Sequence, residues 1–394
     1  MNARDRVLAA IRCQPVDRIP LAPLIGGYAR GRMPSRYQEM RLWEFYAEFG
    51  LDLFIRNVAC FVTWPPQSYV PASTMLPSVL STSLVMDDSA EAGRGNGIEV
   101  RRESKGHETL VTVETPIGTL RSVWLNTPGS PHLPFCTEHL LKTMEDLKIY
   151  QYVLERTKVR PSFAEMATAL AALGNTGIAD AYGHSTPVQD LIMFHMGLKE
   201  FVFMLEDHRG EVETLMTLMQ DVRKREYQVL AESPAEIVVT YENTSTTLLS
   251  PKYMARYEFP SLAEYSDILH AAGKLHLVHM CGRIRQALPL IAASPFDGVI
   301  DTAPLPTGDL DFHDAREILS AAGKCIGGGI DCTAFIELGA DQMKRYVQQR
   351  LREVAPGTGF LLGSGDAVPI GVPLENLHAV VDAVHEHGSY PLNC

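Results

Sequence analysis

Lys274-Leu-His-Leu-Val-His-Met-Cys281 is the stretch on which the fold turns. A run this short and this apolar is a strand buried on both faces. Strands so buried belong to parallel sheets, whose neighbours must be joined by helical crossovers. The end of the run also carries chemistry. Residues two apart on a strand point to the same side, so His279 and Cys281 converge, while His276 has the opposite parity and faces away.

Comparable runs lie on either side of it, at 19–25, 51–57, 177–183, 236–242, 296–301, 324–331 and 359–366. Helix-spaced stretches separate them, at 36–49, 137–153, 162–173, 210–232, 251–272, 282–293, 312–322, 341–354 and 373–387. Eight strands alternating with helices predict an α/β chain folded as a (β/α)8 TIM barrel, one domain over 1–394 with an N-terminal helical segment. A doubly wound sheet uses the same alternation, but no Gly-x-Gly-x-x-Gly turn follows the first strand. Gly327-Gly-Gly329, at the end of the seventh run, marks a close approach of backbone or ligand. The alternation lapses over 59–134. Within that insertion, residues 111–124 alternate with period two on both sides of Pro116-Ile-Gly118, which predicts a β-hairpin. Placed after the second strand, the insertion sits at the barrel mouth as a lid or a structural cap.

Composition narrows the function classes. Lys+Arg 35 against Asp+Glu 47 leaves a net charge of -12 over 394 residues, with no basic run, which argues against a nucleic-acid or anionic-membrane partner. Seven Cys are too few for a disulfide scaffold. No apolar run has membrane-span length, and charges interrupt the first dozen residues where a signal peptide needs its apolar core. The expectation is a cytoplasmic chain with free thiols.

Barrel enzymes place their reacting groups at the C-terminal ends of the strands. Those ends supply Tyr241-Glu242-Asn243, His279-Met280-Cys281, Asp301, Asp331 and Asp366, with Tyr28, Asn57, Tyr182 and His184 nearby. Imidazole and thiolate are first-rank zinc ligands, and Asp366 and Glu242 are the carboxylates placed to complete the set. Their alternative roles are helix caps or rim acids. Cys332 is a reserve ligand; Cys13, Cys60, Cys136, Cys325 and Cys394 lie elsewhere. Tyr28, Asn243, Met280 and Asp331 are the candidate substrate contacts.

Several of these segments resemble the uroporphyrinogen decarboxylase superfamily. They are Cys13-Gln-Pro-Val-Asp-Arg-Ile-Pro20, Thr115-Pro-Ile-Gly-Thr119, His279-Met-Cys-Gly282, Gly328-Gly-Ile-Asp331, Gly365-Asp-Ala-Val-Pro369 and Pro373-Leu-Glu-Asn376. The resemblance spans essentially the whole chain and implies a (β/α)8 barrel. True decarboxylases carry an Arg-Gln-Ala-Gly-Arg segment after the first strand and an Asp after the second. Here the matching stretches read Ile25-Gly-Gly-Tyr-Ala-Arg30 and Phe54-Ile-Arg-Asn-Val-Ala59, so the resemblance points away from that decarboxylation. His-x-Cys on the fifth strand is instead similar to the cobamide-dependent zinc methyltransferases, which add a Cys on the eighth. Asp366 stands in that place.

The resemblance therefore implies a zinc site of His279, Cys281 and Asp366, with Glu242 as a further candidate, and a cobamide carried by a separate corrinoid protein. An oxygen ligand makes a harder site than a second thiolate, which favours a methyl donor bound through oxygen, a methoxylated aromatic above others. Tyr241 or His184 would protonate the leaving oxygen. The alternatives are a coenzyme M-type thiol methyltransferase and a decarboxylase-like lyase without metal. Asp311-Phe-His313 falls short of the cobalamin motif Asp-x-His-x-x-Gly, because Arg316 occupies the glycine position. The expected assembly is a monomer or homodimer.

Overall fold

A computed structural model describes residues 1–65, 97–127, 130–354 and 357–390. Seven strands form one parallel sheet in the order Phe54–Val58, Ile178–Gly183, Ile237–Tyr241, Leu275–His279, Gly298–Thr302, Cys325–Ile330, Phe360–Ser364. The chain crosses between neighbours through helices, so the fold is α/β in the barrel arrangement. The eighth position belongs to residues 19–25, which are not a regular strand. Ala22 N donates to Leu362 O at 2.8 Å and Leu362 N to Pro20 O at 2.9 Å, while Asp52 N donates to Leu21 O at 2.9 Å. The segment thus bridges the first and last sheet strands. Pro20 and Pro23 have no N–H to give, and this keeps the ladder from becoming continuous.

Two cores follow from the strand alternation. Phe54, Ile178, Ile237, Val239, Leu277, Ile300, Cys325 and Leu361 point into the barrel. The N-terminal helix Ala3–Ile11 closes its floor with Val7, Leu8, Ala10 and Ile11. Asn2 starts that helix, its Oδ1 accepting from Asp5 N at 2.8 Å. The opposite parity (Ile55, Ala179, Val238, Val278, Val299, Ile326, Leu362) packs outward against the helices. Helix boundaries move from the predicted ones, and the stretch 36–49 divides into Ser35–Glu39 and Leu42–Phe49. Thr137 is on a strand, Ser130–Glu138, and the helix begins only at Met144, where Thr143 and Asp146 form a capping box. Residues 282–287 are turn and 3-10 helix before Leu288–Ala293.

Past the second predicted strand the chain builds a four-stranded antiparallel sheet from Glu99–Lys105, Glu108–Thr115, Gly118–Thr127 and Ser130–Glu138. Thr115 pairs with Gly118 across the predicted turn. Gly328 answers the question raised by the glycine run. Its φ is +130°, and a Cβ there would lie 2.1 Å from Thr302 O, so a neighbouring backbone and not a ligand requires it. Gly328→Ala combines a strained φ with overpacking and should lower unfolding free energy by about 3 kcal/mol, read from a urea titration. Among the described residues no helix is long and apolar enough to cross a membrane.

Candidate metal centre

His279 ends the Leu275–His279 strand, and Cys281 follows two residues later with the same parity. Asp366 comes from the turn after Phe360–Ser364. One ligand atom from each of the three lies within 4.8 Å of the other two, and His279 Nε2 is 3.8 Å from Asp366 Oδ1. Tetrahedral zinc bonds of about 2.0–2.3 Å place neighbouring ligand atoms roughly 3.3–3.8 Å apart, so a small inward adjustment suffices. The donor set of one imidazole, one thiol and one carboxylate fits the ion. Asp366 has 54% of its side chain exposed, which leaves the outer side of the cluster open to the mouth.

Behind the cluster lies a buried ionic layer. His279 Nδ1 donates to Asp301 Oδ2 at 2.7 Å, an acceptor-only partner that turns Nε2 toward the cluster. Arg56 grips Asp301 with both terminal nitrogens, at 3.1 and 2.8 Å, and gives Nε to Asp180 at 2.6 Å. Its Nη2 also donates to Tyr241 Oη at 3.2 Å. Burial alone would raise Asp301, but Arg56 and His279 outweigh it and hold the carboxyl well below its ordinary value. Burial would lower His279, yet the neighbouring Cys281 sulfur and Asp301 hold it well above its usual range. Burial pushes the Tyr241 phenol well above 10, so it stays protonated.

Local strain marks the same rim. Asn57, Asn243, Asp301 and Asp366 all have positive φ without being glycine. At Asp301 (φ 60°) the register with the next strand shifts between Val299 and Thr302. Plain alternation would send Asp301 outward; this irregularity re-aims it at Arg56 and His279. Asn243 (φ 54°) brings Oδ1 to 3.4 Å from Cys281 Sγ.

The other sequence-derived candidates divide. Tyr241 stands at the site, its ring 5.1 Å from that of His279 and stacked on Tyr182 at 4.9 Å. His184 continues the aromatic row, edge-on to Tyr182 at 5.5 Å, and its Nδ1 donates to Glu226 Oε2 at 3.0 Å. It is two rings from His279. Glu242 does not join the cluster: it is fully buried, and its carboxylate accepts from Thr186 N at 2.7 Å and from the Thr186 hydroxyl. Asp331 is a loop staple, with Oδ2 accepting from Thr307 and Oδ1 from Thr333. Both oxygens are taken, so it is not placed for substrate. Met280 is fully buried in the outward core, on the face away from the cluster. Cys332 turns its thiol to Ala367 O at 3.2 Å and stays outside the set. Tyr28 is on the short helix Gly27–Arg30, its side chain outside the described residues, as is Cys394. Asp311 caps the helix Phe312–Ala321, its side chain accepting from Asp314 N at 3.1 Å.

The sequence reading gave Arg56 and Asp180 no role. Their signal was available: both share the inward parity of Phe54 and Ile178, and a charge on that face of a buried strand needs a partner.

Residues 138–387 match the family model described as uroporphyrinogen decarboxylase (URO-D), more than half of the chain. The chain belongs to the uroporphyrinogen decarboxylase family. Among members of known sequence, a uroporphyrinogen decarboxylase from Anaeromyxobacter dehalogenans (strain 2CP-C) is 28% identical over 140 residues, 36% of this chain. That match spans 38% of the relative's own length. A methyltransferase from Methanosarcina mazei superposes with a TM-score of 0.62 at 16% identity, covering 98% of this chain and 99% of that one. The two share the family's fold. Arg56 and Asn57, which lie before the matched residues, serve the ionic layer.

Proposed function

We propose that this chain is a zinc-dependent methyltransferase that moves a methyl group between a small methylated substrate and the cobalt of a separate corrinoid protein. The convergence of His279, Cys281 and Asp366 at the open barrel mouth carries the reading. Zinc held there supplies a Lewis acid for an ether oxygen. The preferred substrate is a methoxylated aromatic compound, because the stacked, partly buried rings of Tyr182 and Tyr241 form an aromatic wall beside the cluster.

The chain's own groups have distinct tasks. Asp301 holds the His279 ring by its Nδ1 proton, and Asn243 sits against Cys281 Sγ. Tyr241 accepts a hydrogen bond from Arg56, so the phenol's own proton remains free for the oxygen that loses the methyl group. His184 is engaged with Glu226 and stands farther along the wall, which leaves Tyr241 as the proton donor we prefer.

Metal analysis and a methyl-transfer assay test the reading together. The expected result is about one zinc per chain. Methyl transfer from methoxyarenes to cob(I)alamin should follow, seen as the cobalamin absorbance change. Folded protein without metal would sink the zinc reading and favour a lyase. Turnover with thiols but with no ether would replace the substrate class by a coenzyme M-type acceptor.

A further inference from the structure

The geometry points to Arg56 as a positioning residue that sets two hydrogen-bond polarities at once, orienting the His279 ring through Asp301 and fixing Tyr241 as a donor. A guanidinium can only donate, so every bond it makes has a known direction. Its two terminal nitrogens occupy Asp301 from one side, and that carboxylate meets His279 Nδ1 from the other. Asp301 therefore has one place along its edge for the imidazole proton, and the ring is held with Nε2 toward Cys281 and Asp366. The same Nη2 donates to Tyr241 Oη, so the hydroxyl hydrogen must point elsewhere. Asp180 anchors the planar fork at Nε, and it accepts in addition from Asn57 N at 2.8 Å. Arg56, Asp180 and Asp301 are all nearly fully buried, so water offers no substitute for these contacts. A lysine could neutralise one carboxylate but could not span three partners in one plane.

The zinc consequence of this inference rests on the methyltransferase reading; the effect on His279 does not. Two readouts keep them apart: the His279 Nδ1 proton in the NMR spectrum of the metal-free chain, and zinc affinity against a competing chelator. In the wild type, the short bond to Asp301 should give a downfield, exchange-protected Nδ1 proton. Arg56→Lys should lose or shift that signal and weaken zinc about 10–100-fold. Tyr241→Phe should leave both readouts unchanged and lower methyl transfer. Combined with Asp301→Asn, Arg56→Lys should add little further loss of zinc affinity, since both act through one contact. If Arg56→Lys does not fold, Asp180→Asn keeps the guanidinium while weakening its anchor, and should move both readouts the same way by less. A folded variant with wild-type proton signal and wild-type zinc affinity overturns the role of Arg56. A wild type that binds no zinc while Arg56→Lys still moves the Nδ1 proton leaves the positioning role standing and removes the methyltransferase reading.

Discussion

Cys281→Ala and His279→Ala should each empty the metal site, taking zinc from about one per chain to near none and lowering methyl transfer by at least about 10³-fold, because Lewis-acid stabilisation is worth several kcal/mol. The three candidate ligands are not equivalent, and that makes the series informative. His279 is 2% exposed and braced by Asp301, so no water can replace it without breaking the layer behind it. Cys281 supplies the one soft, charged donor. Asp366 is 54% exposed on its side chain, and water can occupy its place when it is removed. Asp366→Ala should therefore weaken zinc less than the other two, and a variant with unchanged affinity would remove Asp366 from the set. Glu242→Gln is the control. Burial and the nearby Glu258 hold the Glu242 carboxyl well above its ordinary value, so the amide resembles its protonated form and zinc should be retained. Zinc in the variants is measured by elemental analysis after gel filtration. Retention in folded Cys281→Ala would refute the assignment.

How much of this was legible in the sequence depends on which physical rule each residue obeys. Period-two parity is robust, and it placed His279 and Cys281 on one side and sent His276 outward, where Ser266 and Thr240 hold both its ring nitrogens. The strand ends were readable for the same reason, and Asp366 reached the cluster from the end of Phe360–Ser364, with the strands Gly298–Thr302 and Cys325–Ile330 between. Parity was also sufficient to exclude Met280, although it lies between the two candidate ligands in sequence. Asp301 was beyond such rules. Its inward aim depends on a positive φ and a shifted register, neither of which alternation can express. Glu242 and Asp331 show the converse limit. A buried acid at a strand end looks alike in sequence whether it binds a metal or staples a loop, and only the positions of Thr186, Thr307 and Thr333 separate the two. The segment 19–25 was found by its apolar content, although its two prolines leave it outside the regular ladder.

Asp52→Ala should destabilise the fold by about 3–5 kcal/mol while leaving the metal site intact. Asp52 is 1% exposed and gathers three segments at the barrel floor. Its Oδ1 accepts from Arg6 Nη1 at 2.6 Å, and its Oδ2 from Arg18 Nη1 at 2.8 Å and from Leu21 N at 2.7 Å. The N-terminal helix, the irregular segment 19–25 and the second strand run are all tied to this one carboxylate. Alanine would leave the Leu21 N–H without its acceptor and the Arg6 guanidinium with Asp17 alone among carboxylates. The remaining Asp17 contact, and the partial exposure of Arg18, keep the loss within the stated range. Denaturant midpoints measure it, and a change below about 1 kcal/mol would contradict the role. Asp52→Asn keeps an acceptor for Leu21 N and should lose less. The contrast with the mouth is one of charge. At the floor Arg6 and Arg18 meet Asp52 and Asp17, two charges of each sign, a balance that favours the folded chain by itself. At the mouth one arginine lies between two carboxylates, with Asp366 beyond, and the excess negative charge suits a cation. Loss at the floor should therefore appear in stability with zinc affinity unchanged, and loss at the mouth in zinc affinity first.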